Sequence, residues 1–408
     1  MSAERARYGV VAYILFIWFV ISFVTNIIGP LLPLFISDFH LSLALAGFLP
    51  FSFFLAYGVA SIPAGLMIER AGVKASMLVA LAVNGVGALV FALFPGFHAA
   101  LLALFVMGLG MAMLQVVINP LMRTAGGESH FAFYSVLAQL VFGLASFVSP
   151  YVFTVMMAQG DNALFRLIKG PHWIAFYWIF ALIFVLCLAL TQAMRMPAVA
   201  LKADERVEGW AVYAALARQP KTWLFFLGIA AYVGTEQGLA NWMSQFLSLY
   251  HGVSPLGEGA ATIGRFWGAM AAGCAVGLVL LKLMDSRLLL CLFTAAAIAC
   301  VLLALFGSAS IALMAFPAAG FFLSVMFSTV FSLALNSVET HHGAFSGILC
   351  SGLVGGAISP LVIGLLGNLV GLRMAMLLVV ATLAYIFLVG VVARPLIVNA
   401  TLRRAKAS

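Results

Sequence analysis

The chain has 408 residues, 65% of them hydrophobic and 8% charged, with a mean hydropathy of +1.18. Soluble domains are about half apolar and a quarter charged, so this composition excludes a soluble globular protein and implies repeated passage through a bilayer. The net charge of +8 then reports membrane orientation, because Lys and Arg gather in cytoplasmic loops, and is no argument for a nucleic-acid partner.

Breaks at glycine, proline and charged clusters divide the chain into apolar spans near the roughly 20 residues a helix needs to cross the hydrocarbon core. The start, MSAERARYG, runs into an apolar stretch without a small-residue cleavage site and reads as a retained first helix. The predicted spans are 9–36, 43–68, 75–95, 98–123, 131–158, 171–194, 222–250, 260–283, 287–307, 309–338, 343–370 and 373–395. No segment alternates in the manner of a porin strand. A hydrophilic stretch, 195–221, separates an N-terminal six-helix bundle (1–194) from a C-terminal one (222–408) and reads as a cytoplasmic linker. The expected fold is an all-α integral membrane protein of twelve transmembrane helices in two six-helix bundles.

Charge supports that layout. With the termini and the even-to-odd loops on one side, 16 of the 20 Lys and Arg fall there, and only Arg166, Lys169, Arg265 and Arg373 on the other. Both termini are therefore expected to be cytoplasmic. GLMIERAGVKASMLVALAVNGVGALVFALF and GLVLLKLMDSRLLLCLFTAAAIACVLLALF, offset by 212 residues, echo each other, as expected for a duplicated transporter whose halves rock about a midplane site. All five cysteines lie in apolar runs without metal-ligand or disulfide spacing. No Ser/His/Asp set, metal cluster or phosphate loop appears, so no catalytic residue, metal or cofactor is expected. The glycines of GLGMAM (108–113) read as close helix packing.

Among the acidic residues, only Glu236, in YVGTEQGLANWMSQFL, falls near the middle of a span. A charge at bilayer centre costs about 2.5–3.5 kcal/mol on insertion scales, so such a residue faces a cavity or a partner. Gln237, Asn241, Ser244, Gln245 and Ser248 share one helical face, with Glu236 about 100° away from Gln237. Whether the two meet is expected to depend on the helix opening at Gly238. Gln115, Asn119 and Arg123 form a stripe on span four, with Ser135 and Gln139 on span five and Ser328, Ser332 and Asn336, plus Ser324, on span ten. These amides suit a hydroxyl-rich ligand, with interhelical glue as the alternative. Arg265, inside span eight, has three readings: an ion pair, a contact to an anionic substrate, or snorkelling to the surface. Trp242 is a candidate to stack on a sugar ring.

The cytoplasmic turn GLMIERAGVKA resembles the loop signature of the major facilitator superfamily, with Glu69 in the acidic position beside Arg70 and Lys74. SIPAGLMIERAG, GLGMAMLQVVINP, YVGTEQG, FSTVFSLALNSV and GGAISPLVIGLL resemble the fucose/galactose/glucose–cation symporter group of that superfamily. The resemblance implies the major facilitator fold, a central site and uptake of a sugar with H⁺ or Na⁺. It assigns Gln115, Asn119 and Gln139 to the sugar region and Glu236 to the helix-seven Glu of many members. Two departures stand out: the helix-one Asp of the proton-coupled pattern aligns with Gly29, and its helix-four Glu with Gln115. The helix-eight Gly-Arg of many members reads Gly273-Cys274.

The expectation is thus a bacterial inner-membrane, monomeric sugar importer in contact with a small-molecule substrate and the lipid bilayer. Asn26, Gln115, Asn119, Gln139, Gln237, Asn241, Trp242, Gln245 and Asn336 are its candidate substrate residues and Glu236 its cation site. Glu69, Arg70 and Lys74 form the conformational loop, and Arg265 and Arg123 are candidates for an anion or ion pair. The rivals are an organic-anion importer using Arg265 or Arg123, and an uncoupled uniporter or exporter.

Overall fold

The computed structural model describes residues 2–126, 131–158, 171–197, 210–338 and 342–394, and the regular structure among them is helical. In chain order it comprises α1 (Ser2–Asn26), α2 (Ile28–Asp38), α3 (Leu43–Leu93), α4 (Phe97–Gly126), α5 (Phe131–Ala158), α6 (Ile174–Ala193), α7 (Trp210–Ala217) and α8 (Pro220–His251). After a π-helical turn, Pro255–Gly259, come α9 (Ala260–Leu283), α10 (Ser286–Phe306), α11 (Ala309–Leu323), α12 (Met326–Leu335) and α13 (His342–Ser351). A 3₁₀ turn, Gly352–Val354, leads to α14 (Gly355–Val370), α15 (Leu372–Ala375) and α16 (Leu378–Val392).

Eleven segments among the described residues are long and apolar enough to cross a membrane. The expected seventh span, α8, is not one of them. Its 32 residues give a rise of about 48 Å, but Glu236, Gln237, Asn241 and Gln245 lower its hydropathy. Large apolar side chains are exposed in both halves of the chain, among them Leu102, Leu182, Leu278 and Met314, the last 76% exposed. Such an exterior is stable only in a solvent as apolar as leucine, which is the lipid tail region.

The chain divides into two compact units, one of Met1–Leu31 with Phe48–Val207, the other of Leu32–Gly47 with Glu208–Ser408. This differs from the expected division in one respect: Leu32–Gly47 packs in the second unit. There the Ala44 N–H donates to Asn368 Oδ1 (3.4 Å), and Gly364 lies so close to the Leu43 carbonyl that a Cβ would overlap it. The linker residues 198–209 lie outside the described residues, as do Arg166 and Lys169.

Helix interruptions have local causes. Proline 30 has no N–H to return to Asn26, and the chain turns at Ile27 between α1 and α2. Gly72 (φ 79°, ψ 168°) breaks α3 into the two predicted spans, in a conformation a side chain would strain. Span ten is one apolar segment, Ala309–Leu335, interrupted by a turn at Ser324 and Val325 between α11 and α12. The Ser324 hydroxyl donates to the Phe321 carbonyl (2.7 Å), diverting the backbone bond there, and the Cys274 thiol donates to the Ser324 carbonyl (3.4 Å).

Three basic residues satisfy carbonyls at or just past the ends of helices. Lys74 Nζ donates to Gln192 O and Met194 O at the end of α6, both at 2.9 Å. Lys221 Nζ donates to Ser337 O just after α12 (3.2 Å). Arg287 donates through Nε to Gly390 O (3.1 Å) and through Nη2 to Val391 O (2.5 Å) at the end of α16. Cations at C-terminal carbonyls complement the helix dipole. Lys74 and Arg287, each near the start of a helix that follows a turn in the repeated segment, do this for the closing helix of their own unit.

Candidate functional site

Glu236 sits at the midpoint of α8, about 24 Å of helix from either end. It is half-buried, and both carboxylate oxygens accept hydrogen bonds. The Tyr232 hydroxyl donates to Oε2 at 2.6 Å, and the Gln237 side-chain amide donates to Oε1 at 3.1 Å. Tyr232, one helical turn earlier on the same face, is almost fully buried and rests against Phe327 of α12, ring centroids 5.8 Å apart. Cys274 of α9 lies within electrostatic reach of both Glu236 and Tyr232. Among the described residues no cation pairs with Glu236.

The amide face continues from there. Asn241 Nδ2 donates to the Gln237 carbonyl (2.8 Å) and to Gln237 Oε1 (3.3 Å). The sequence reading made contact between Glu236 and this face depend on a break at Gly238. The structure corrects that: α8 is unbroken, and Gln237 folds back round the helix to reach the carboxylate. Gly234 and Gly238 serve packing instead, since a Cβ on either would approach Ser359 of α14 to about 3 Å. Gln237 (6%) and Asn241 (2%) are buried in this conformation, and Gln245 is half-buried.

Other candidates are placed differently from expectation. Trp242 is 0% exposed, and its Nε1 donates to the Pro360 carbonyl (2.9 Å). It presents no ring face to a ligand here, so it is a core residue of the second unit and not a stacking platform. Asn26 is likewise committed to packing between α1 and α5. Its Nδ2 donates to Ser22 O (2.9 Å), Ser146 Oγ (3.0 Å) and Ser22 Oγ (3.3 Å), beside a 2.7 Å bond between the two serines. Asn336 caps the C-terminus of α12, with Nδ2 on Ser332 Oγ (3.4 Å), next to the Ser337 carbonyl bonded by Lys221 and far along the bundle from Glu236. Arg265 forms the ion pair: Nη2 is 2.6 Å from Glu258 Oε2 and donates to Thr262 Oγ1 (2.9 Å).

In the first unit, Gln115 is half-buried on α4 and Arg70 is exposed. Asn119, Arg123, Gln139 and Glu69 belong to helices, but their side chains lie outside the described ones. The site residue that sequence reasoning missed is Tyr232, whose i, i+4 spacing to Glu236 was its signal. Cys274 stands in the sequence only as a departure from the family's helix-eight Gly-Arg, and Ser324 only as a polar residue of span ten. Their place near Glu236 comes from the packing of distant helices.

An all-helical chain with an apolar exterior, discontinuous helices and a buried polar cluster halfway through one helix is a polytopic membrane protein built to pass a polar solute. The major facilitator superfamily model matches residues 14–352, and the chain belongs to that family of transporters. It is 29% identical over 407 residues to a protein of Brucella abortus named glucose/galactose transporter, covering 96% of each. It is 23% identical over 392 residues to the L-fucose-proton symporter of Escherichia coli, covering 89% of this chain and 87% of the other. These are the names to be expected from the motif resemblance. Solved structures agree on the fold. A bacterial homologue of the human lysosomal transporter Spinster superposes with a TM-score of 0.78 at 17% identity, over 95% of this chain and 97% of that one. The Escherichia coli fucose:proton symporter gives 0.66 at 21% identity, over 94% and 98%.

Proposed function

We propose that this chain is a monomeric, proton-coupled importer of a neutral sugar, working by alternating access in a bacterial inner membrane, with Glu236 as the proton site. The observation that carries the reading is a carboxylate midway along a helix with two hydrogen-bond donors and no cationic partner among the described residues. A lone charge in the bilayer interior is costly, and a transported cation removes that cost in part of the cycle. Each oxygen faces an O–H or N–H hydrogen rather than a ring of lone pairs, which suits a proton better than a sodium ion. The proton-accepting positions of the family pattern are neutral here, Gly29 and Gln115, so Glu236 takes over their role. In this reading α8 is the twelfth span, and the ends carrying Lys74, Lys221 and Arg287 face the cytoplasm, as does each terminus.

The sugar is supported by the names of the relatives and by the amides at Gln237, Asn241 and Gln115, which donate to and accept from hydroxyl groups. The organic-anion alternative loses its main support, because Arg265 is already engaged by Glu258.

The test is uptake of D-glucose, D-galactose and L-fucose into proteoliposomes under an imposed proton or sodium gradient. Uptake is expected to follow the proton gradient, and Glu236→Gln is expected to lose that dependence while retaining exchange of sugar for sugar. Uptake indifferent to pH and sodium, with Glu236→Gln fully active, refutes the reading.

A further inference from the structure

We infer that Gln237 is the residue that couples solute binding to protonation of Glu236. This rests on the assignment of Glu236 as the proton site and goes beyond it, by naming how the two ligands sense each other. Along α8 the polar groups form one chain: Asn241 Nδ2 to Gln237 Oε1 (3.3 Å), Gln237 Nε2 to Glu236 Oε1 (3.1 Å), and Tyr232 Oη to Glu236 Oε2 (2.6 Å). Gln237 is the only link that belongs to both ends. Its backbone position lies on the amide face, while its side chain reaches back to the carboxylate.

That arrangement sets the sign of the coupling. A sugar hydroxyl that takes the Gln237 amide withdraws one of the two donors holding the ionised carboxylate, so the protonated form gains relative to it. Reciprocally, a proton arriving at half-buried Glu236 weakens the hold on Gln237 and frees its amide for the sugar. Mutual reinforcement of this kind is what moving both ligands together requires.

Among the described residues, nothing else nearby supplies a compensating charge. Tyr232 on α8 and Cys274 on α9 are the titratable groups within reach. The broken α11–α12 segment brings Ser324 through Cys274 and Phe327 against Tyr232. Ser359 of α14 lies against Gly234 and Gly238, and Thr382 of α16 bonds Thr235 (2.7 Å). None of these is a charged side chain.

The experiment measures binding of D-glucose, D-galactose and L-fucose to the purified full chain at acid and at alkaline pH. A hydrogen bond to a charged group is worth enough to change an equilibrium roughly tenfold or more, so the wild-type affinity should differ by about that factor between the two conditions. Gln237→Met is expected to bring that ratio close to one. Tyr232→Phe, which removes a donor that the sugar does not compete for, is expected to keep the ratio while moving the pH midpoint. Glu236→Gln should be flat. Should Gln237→Met fail to fold, Gln237→Asn, too short to bridge carboxylate and solute, is expected to give the same loss. A steep ratio retained in the Gln237 variant while Glu236→Gln is flat overturns this inference alone. A flat wild type, a steep Glu236→Gln, or no binding of any of the three sugars overturns the proton-site reading and this inference with it.

Discussion

Replacing Trp242 by phenylalanine separates two roles that an aromatic residue beside a polar face could play. The indole is fully enclosed, its Nε1 donates to the Pro360 carbonyl, and its ring is close enough to Gly364 that a Cβ there would lie 2.9 Å from it. Trp242→Phe removes the N–H and leaves that buried carbonyl one donor short, at a cost of about 1–2 kcal/mol. Exchanging the indole for a smaller ring adds about another 1–2 kcal/mol of lost packing. The two together come to roughly 2–4 kcal/mol. If the second unit, on the order of 200 residues, melts as one body, each kcal/mol lowers Tm by about 2–4 °C, so a drop of roughly 4–16 °C is expected. Galactose affinity should stay within about twofold, because the ring offers no face to a ligand. Thermal melting and galactose titration of the same purified sample in detergent measure both quantities. An unchanged Tm with affinity reduced about tenfold or more would show that the indole stacks on the sugar and would refute the packing argument.

Three further outcomes are expected. Arg265→Gln breaks an ion pair whose partners are 41% and 61% exposed; such pairs contribute about 0–1 kcal/mol, so Tm and solute binding should both persist. Loss of binding in that variant would restore the anion reading. Gly355→Val drives a side chain into the Ala230 carbonyl where α14 crosses α8, and overpacking of this kind costs about 1–3 kcal/mol; the control is Gly9→Ala, where a Cβ meets nothing within 4 Å. Equal melting temperatures for these two variants would contradict the close crossing. Lys74→Met and Arg287→Met each remove a cation from C-terminal carbonyls and should each cost about 1 kcal/mol, read as a similar loss of Tm in the two variants; no loss in either would mean these bonds carry no stability.

Much of the architecture was legible before any coordinates. Breaks at glycine, proline and charged clusters marked where helices end, because an apolar solvent leaves the backbone no alternative to intrahelical bonding. The span that fell short by apolarity, α8, is the one whose polar residues had drawn attention. What could not be read was the use made of each polar side chain. Asn26 and Gln237 are both amides in apolar helices, yet one is spent on Ser22 and Ser146 of α1 and α5, and the other bridges Glu236 and Asn241. The glycine at 238 looked like a hinge and is a packing contact.

By itself, the sequence determined the solvent, the helical class and the one carboxylate placed deep in a span, since these follow from composition and from local spacing along one chain. Only the tertiary structure decided that Trp242 is core, that Arg265 is paired, that the tenth span breaks at Ser324, and that Tyr232 and Gln237 hold Glu236 from either side. Those outcomes turn on which helices pack together and how side chains orient at ångström scale. A periodic pattern names a face of a helix, but not what that face meets.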